Sequence, residues 1–377
     1  MMKYLLIPDK FKSSLTSQGV IEALTNGIVQ VDQNALIESI QVSDGGDGFL
    51  DSVDTSGSYQ RIPVQSVNAY GDPIASYYLW DSINHSAFIE LANTCGVSSI
   101  DKSRLQIMKS STHGIGIQIR DAIEKGAKQV YVGIGGSITN DGGIGLAQEL
   151  GYRFFDKNHQ EITHCNASSL NLLSDISRPD NEEVFQKVAF YAVNDVENPL
   201  FGTSGAAYIY SSQKGASDEE MKQLDRGLQN LDALVIRKLG KKDSSTKGAG
   251  AAGGTAYGLK VFLDAEFIRG FDFLSQRHQL YDIIEGGHYD YIITGEGRFD
   301  SQSLNGKFVQ GILKMAEVSP KSKVVIICGT SEFESLDGYQ NQIMVLQIKR
   351  QELETTYCME NAAMLVENKI SDFLKQS

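Results

Sequence analysis

Six short segments rich in Gly, Asp, Asn and Lys punctuate the chain, each beside an apolar run of strand or helix length. They read PDKFKSS (8–14), SDGGDG (43–48), GIGGSITNDGG (133–143), VNDVENPLFG (193–202), GAGAAGG (248–254) and TGEGRFDSQS (294–303). Apolar runs separated by such loops point to an α/β chain whose layers form the cores and whose loops carry the chemistry. Glycine lets backbone N–H groups approach an anion closely, and acidic side chains hold Mg2+ or accept a proton. The repeated pairing of the two predicts a site for phosphate, metal and proton transfer together.

Residues 3–7 (KYLLI) read as a buried strand ending at Pro8-Asp9. N-cap candidates follow at Ser13, Ser14, Thr16 and Ser17, then Val20, Ile21, Leu24 and Ile28 at helical spacing. A second strand, 37–42, runs into SDGGDG, and Phe49, Leu50 and Val53 open a helix. Near the other end, strand 291–294 runs into GEGRFDSQS, and Phe308, Ile312, Leu313 and Ala316 mark a helix. Strands at 323–328 and 343–348 and a closing helix from Met359 to Leu374 complete this portion. Five strands with intervening helices predict a parallel sheet covered on both faces. The loops 8–14, 43–48, 294–303 and 328–330 all follow carboxyl strand ends, where open parallel sheets bind ligands. Residues 1–60 and 288–377 are therefore expected to form one discontinuous domain with one functional edge.

Residues 61–287 read as an inserted α/β domain with a mixed sheet. Its expected strands are 60–66, 76–80, 86–91, 129–133, 188–194 and 206–210, and its helices 114–125, 144–150 and 218–239. The last is amphipathic, with Leu224, Leu228, Leu231, Leu234 and Val235 on one side.

A chain of 377 residues that is 41% hydrophobic can build sizeable cores in two or three domains. Its net charge of −13 argues against nucleic acid or an anionic membrane as the main partner. Local lysines and backbone N–H groups can still serve a phosphorylated ligand. No stretch approaches the roughly 18–20 apolar residues of a membrane span, and the first apolar run is too short for a signal-peptide core. Cys95, Cys165, Cys328 and Cys358 are scattered without a C-x-x-C pair, and the six histidines lack zinc-ligand spacing. A soluble cytoplasmic protein is expected, with its oligomeric state open, a homo-oligomer included.

Each motif has a chemical and a bland reading. Gly135, Gly136, Gly142 and Gly143 suit an anion cradle before a helix, and Asn140 and Asp141 either orient a ligand or cap that helix. The segment lacks GK[ST] and G-x-G-x-x-G, so it is neither a Walker A loop nor a dinucleotide fingerprint. Asp44 and Asp47 can hold Mg2+ across a Gly-Gly turn, or form an Asx-turn. Glu296, Arg298, Asp300 and Lys307 suit phosphate with metal, or form a surface ion-pair cluster. Asp195 is a general-base candidate, or ordinary turn chemistry before Asn198-Pro199. Lys214 is a phosphate cation or a solvated lysine, and Lys10, Lys12, Ser13 and Ser14 lie where an anion is favoured. GAGAAGG is a mobile linker, or a helix start suited to phosphate or close packing.

Taken in order, these segments resemble the bacterial-type (class I) glycerate kinase family. The resemblance rests on Asp9-Lys10-Phe11-Lys12, DGGDG, GGSITNDGG, DVENPLFGTSGA, QKGA (213–216), GAGAAGG and TGEGRFDSQ followed by Gly306-Lys307, from residue 4 to about 330. Lys10 stands where the family has Ser, Asp47 where it has Glu and Ser303 where it has Thr, and Val309 replaces a Pro. The resemblance implies ATP-dependent phosphorylation of D-glycerate with Mg2+. It implies a Rossmann/flavodoxin-like parallel-sheet domain, the inserted α/β mixed-sheet domain, and an active site in the cleft between them.

On that resemblance, Asp195 would take the glycerate hydroxyl proton, with Lys12, Arg298 and Lys307 as catalytic cations. Asp9, Gly135, Gly136, Ser137, Asn140, Asp141, Asn198, Lys214, Gly250 and Gly253 would bind substrate or phosphate, and Asp44, Asp47, Glu296 and Asp300 the metal. Rival readings are a phosphatase or isomerase of a small phosphorylated hydroxy acid, and a non-enzymatic metabolite sensor. The sequence leaves open whether the C2 or the C3 hydroxyl is phosphorylated.

Overall fold

The first strand of the chain pairs with one that begins almost 290 residues later: Tyr4 lies opposite Tyr291 and Pro8 opposite Gly295, in parallel. The computed structural model describes all residues except Asp44, Ser56, Ser99, 305–307, Ser335, Gln351 and Ser377, and the side chain of Lys102. In chain order the strands are β1 Lys3–Pro8, β2 Leu36–Ser39, β3 Gln60–Val67, β4 Pro73–Asp81 and β5 Ser86–Glu90. Then come β6 Gln129–Gly133, β7 Arg153–Phe155, β8 Asp175–Ser177 and β9 Ala189–Val193. The last four are β10 Glu266–Ile268, β11 Tyr291–Phe299, β12 Lys323–Ser331 and β13 Ile343–Gln347.

The chain divides into two units. One comprises Met1–Asp44, Asp51–Thr55 and Gly270–Ser377. Its sheet runs β13-β12-β11-β1-β2, parallel throughout. Strands buried on both faces read as continuous apolar runs, which is why KYLLI and KVVIIC carry no alternation. Leu6, Ile293 and Val325 pack on Leu24 and Ile28 of the helix Ser17–Val31 and on Val366 and Ile370 of the helix Ala362–Gln376. The alternate residues Leu5, Ile292, Val324 and Ile326 are buried too, so both faces are covered.

The other unit comprises Gly45–Leu50 and Ser56–Arg269. Its sheet runs β10-β9-β6-β5-β4-β3, with β10, β9, β6 and β5 parallel and β4 and β3 antiparallel. It is the expected mixed sheet. Val130, Val132 and Ala192 share one core with Ile115 and Ile119 and with Leu228, Leu231 and Val235 of the helix Asp218–Leu239. A capping box opens that helix: Ser217 Oγ accepts from the Glu220 N–H, and Glu220 Oε2 accepts from the Ser217 N–H. No helix among the described residues is long and apolar enough to cross a membrane.

Several expected elements differ. Residues 206–210 form a helix, Ala206–Tyr210, with Ala207 packed against Leu224; a five-residue apolar run does not declare its period. Strand β11 extends through Phe299, because Arg298 and Phe299 still pair with Thr330 and Ser331 of β12. GEGRF is therefore strand, and the loop begins at Asp300. The second strand is only Leu36–Ser39. The closing helix is two helices, Thr355–Glu360 and Ala362–Gln376. Residues 270–287 group with the parallel sheet rather than with 61–269, because Phe271 meets Phe308 edge-on at 5.4 Å. Lys10, Lys12 and Ser13 do not sit at a helix start: Phe11 and Leu15 exchange backbone hydrogen bonds, and the helix begins at Ser17 behind the Thr16 cap.

Candidate active site

Four parallel strands of the mixed sheet end level with one another. Glu90 lies opposite Gly133, Gly133 opposite Val193, and Ile268 opposite Val193. The segments after Gly133 and Val193 thus leave from the carboxyl edge, where parallel sheets bind ligands. Residues 45–50 lie on this same edge. The Gly135 N–H donates to the Gly45 carbonyl at 2.9 Å, and Glu90 accepts from the N–H groups of Gly48 (3.2 Å) and Leu50 (3.0 Å). Within 43–48, residues 45–48 thus group with the mixed sheet rather than with the sheet that carries 8–14, because the Glu90 carboxylate draws them to β5. Glu90 is a residue the motifs did not single out. Its one sequence signal is a carboxylate closing the apolar run SAFI.

The loop 134–143 is tied from several sides. Gly136 has φ +72°, and a Cβ there would lie 2.3 Å from Asp47 Oδ1, so only glycine fits. The Val97 N–H donates to the Gly136 carbonyl and the Ile138 N–H to the Cys95 carbonyl. The Gly142 N–H donates to the Gly253 carbonyl. Gly253 has φ +66°, and a Cβ there would meet the Thr139 carbonyl oxygen at 2.1 Å. GAGAAGG is therefore no mobile linker: Ala252, Gly253 and Gly254 are left-handed and packed, and regular helix begins after them. Gly250 donates its N–H to the Asn198 carbonyl at 2.9 Å, which joins this run to the loop after β9.

Among the described residues, the N–H groups of Gly136, Ser137, Thr139, Asn140 and Asp141 have no hydrogen-bond acceptor. Thr139, Asn140 and Asp141 are fully buried. Buried backbone donors are almost always paired, so unclaimed ones in a run are chemically suited to an anion.

The side chains around the loop divide into holders and reachers. Asp141 accepts from the Thr112 N–H and Oγ and from the Gly143 and Gly145 N–H groups. Burial pushes its carboxyl above the usual range, against the pull of those four donors. Its carboxylate thus holds the start of the following helix, while its own backbone N–H stays among the unclaimed donors. Asn140 Nδ2 donates to Ser211 Oγ at 2.6 Å, while its buried Oδ1 has no partner among the described residues. Lys214 is 3% exposed, and its Nζ donates to the Thr139 carbonyl (2.7 Å) and to Ser137 Oγ (3.3 Å). At that burial the reading of a solvated lysine fails, and burial lowers its amine to about 7. Asn198 donates to the Ser204 carbonyl and accepts from Tyr210 Oη. Asp47 is exposed, and Asp195 is half-buried two residues past the end of β9.

In the parallel-sheet unit, Asp9 donates its N–H to the Gly295 carbonyl and accepts the Lys10 N–H at 2.7 Å. Lys12 is exposed on the loop closed by Phe11 and Leu15, beside Gly297. Glu296 is half-buried on β11 opposite Cys328. Arg298 pairs with Asp300 (3.1 Å) and Glu332 (2.9 Å), and Gln302 N–H donates to the Asp300 carboxylate. Of the expected ion-pair cluster, Arg298 and Asp300 are thus paired, with Glu332 as a further partner of Arg298. Asp44 and Lys307, both predicted site residues, lie outside the described residues.

Parallel strands whose carboxyl ends carry glycine loops, carboxylates and lysines are the architecture of an α/β enzyme. A model of the glycerate kinase family matches residues 4–376. The glycerate kinase of Halalkalibacterium halodurans is 35% identical over 315 residues, 83% of this chain and 81% of that protein. The glycerate 2-kinase of Escherichia coli is 32% identical over 316 residues, 84% of this chain and 82% of that protein. A crystal structure assigned to glycerate kinase 2 of Salmonella typhimurium LT2 superposes with a TM-score of 0.78 at 28% identity, covering 100% of this chain and 98% of that one. The chain belongs to the glycerate kinase family and is a kinase.

Proposed function

We propose that this kinase transfers the γ-phosphoryl group of ATP to the C2 hydroxyl of D-glycerate, giving 2-phospho-D-glycerate and ADP, with Mg2+ as cofactor. The observation that carries the reading is the run of unclaimed N–H groups at Gly136, Ser137 and Thr139 to Asp141. Phosphoryl transfer needs positioning and charge stabilisation more than covalent chemistry, and such a loop supplies both. The choice of C2 is supported by the relative named glycerate 2-kinase.

In this reading the loop 134–143, backed by Gly250 and Gly253, holds the nucleotide phosphates through backbone N–H groups. Asp195 accepts the hydroxyl proton as the glycerate oxygen attacks the γ-phosphorus and the bond to the β-phosphate oxygen breaks. Lys12, Arg298 and Lys307 counter the charge of the transferring group or hold the glycerate carboxylate, and Asp9 and Asn198 take part in binding substrate or phosphate. Among the described residues no three carboxylates, histidines or cysteines already converge as a metal site. Mg2+ usually takes one or two carboxylates and completes its shell with phosphates and water. Its one or two carboxylate ligands would be drawn from Asp44, Asp47, Glu296 and Asp300, and when bound it would offset phosphate charge. The reading includes a cytoplasmic location, in keeping with four free, buried cysteines.

The test is incubation with ATP, Mg2+ and D-glycerate, with products resolved by 31P NMR. A 2-phosphoglycerate resonance with equal ADP is the expected result. The 3-phospho isomer would correct the position, and phosphate release without a phosphoglycerate would overturn the reading.

A further inference from the structure

A fully buried lysine is rare unless something holds it. Lys214 lies at the end of the 3-10 turn Ser212–Lys214, whose preceding residue, Ser211, also holds Asn140. Its Nζ reaches the Thr139 carbonyl at 2.7 Å and Ser137 Oγ at 3.3 Å. The charged and titratable groups that act on it are the Asp141 carboxylate, which favours the ammonium, and the buried Cys95 thiol. The same Thr139 carbonyl is pressed from another side by Gly253, where not even a methyl group would fit.

This fixes more than one oxygen. In a trans peptide the carbonyl and the following N–H point in opposite directions. No cis bond occurs here. Drawing the Thr139 carbonyl toward Lys214 therefore turns the Asn140 N–H away from it, and that N–H is one of the unclaimed donors.

We propose that Lys214 is a positioning residue, which sets the phosphate-binding shape of the loop 134–143 by holding the Thr139 carbonyl and the Ser137 hydroxyl from behind, without touching the nucleotide itself. The proposal rests on the reading of this loop as a phosphate cradle and departs from the expectation that Lys214 binds phosphate directly. The cost of leaving the buried Thr139 carbonyl without its donor sets the scale of the effect.

The experiment compares wild type, Lys214→Met and Lys214→Gln as full chains, with KM for ATP, KM for D-glycerate and kcat measured separately. Lys214→Met is expected to raise KM for ATP by about tenfold or more while KM for D-glycerate stays within about twofold. Lys214→Gln, whose amide N–H can still donate to Thr139, is expected to recover part of the loss. Should Lys214→Met not fold, Ser137→Ala removes one Nζ partner and is expected to raise KM for ATP by roughly threefold to fivefold. A KM for ATP within about twofold of wild type in the folded variants overturns the proposal. A wild type that shows no ATP-dependent turnover would instead count against the proposed function. In that case, slowed hydrogen exchange across 134–143 on adding ADP to wild type but not to the Lys214 variants supports the positioning role, and equal slowing in both overturns it.

Discussion

Thr112 gives both its N–H and its hydroxyl proton to the same oxygen of Asp141, each at 2.8 Å. Thr112 Oγ1 in turn accepts from the Leu146 N–H at 2.9 Å. The pair thereby ties the start of the helix His113–Glu124 to that of Ile144–Glu149. With the Gly143 and Gly145 N–H groups, Asp141 has four donors and no exposed surface. Asp141→Asn would turn an amide donor toward groups that are themselves donors. The expected cost is about 2–4 kcal/mol, read from urea unfolding. A change below about 0.5 kcal/mol would show that the capping role is wrong.

Gly253 and Thr139 make a second such relationship, by exclusion. The left-handed backbone of Gly253 and the 2.1 Å approach of a Cβ to the Thr139 oxygen both penalise a side chain. Gly253→Ala is expected to lose about 1–3 kcal/mol of stability and to raise KM for ATP several-fold, because the displaced carbonyl belongs to the loop. Thermal unfolding and steady-state kinetics check both. Normal kinetics in a destabilised variant would separate packing from function.

The depressed Lys214 amine makes stability depend on pH in a definite direction. Its folded value of about 7 lies below the ordinary 10.5, so between those values the unfolded chain binds more protons. Stability contributed by this group is therefore fully present above the unfolded value and is lost as pH falls toward and through 7. The wild type minus Lys214→Met stability difference is expected to shift in favour of wild type as pH rises from 7 to 10. A pH-independent difference would mean that the amine is not depressed.

Much of the fold was legible because parallel strands buried on both faces announce themselves, as KYLLI and KVVIIC do. The strand ends located the loops, and the order of the motifs pointed to the family. Less legible was everything decided by partners distant in sequence. Whether Lys214 is solvated or buried depends on the Thr139 carbonyl, 75 residues away. That Asp141 caps while Asp47 stays exposed depends on Thr112, and nothing in NDGG or DGGDG distinguishes the two. Glu90 went unnoticed because its partners are backbone N–H groups, which every residue but proline has. The helix at 206–210 was misread because five apolar residues fit either period.

Asp195 stands where a proton acceptor could be held steadily. It follows Asn194, whose N–H donates to the Ile268 carbonyl at 3.0 Å and whose Oδ1 accepts from the Val196 N–H at 3.2 Å. Both flanking positions are thus fixed to the strand ends, which limits how far the carboxylate between them can wander. A general base contributes typically about 10²–10⁴ in rate. Asp195→Asn keeps the shape and removes the basicity, so kcat is expected to fall by roughly that factor while KM for ATP and for D-glycerate move by less than about threefold. If kcat instead stays within a few-fold of wild type, the proton goes elsewhere, and Asp195 serves only the turn that leads into Asn198-Pro199.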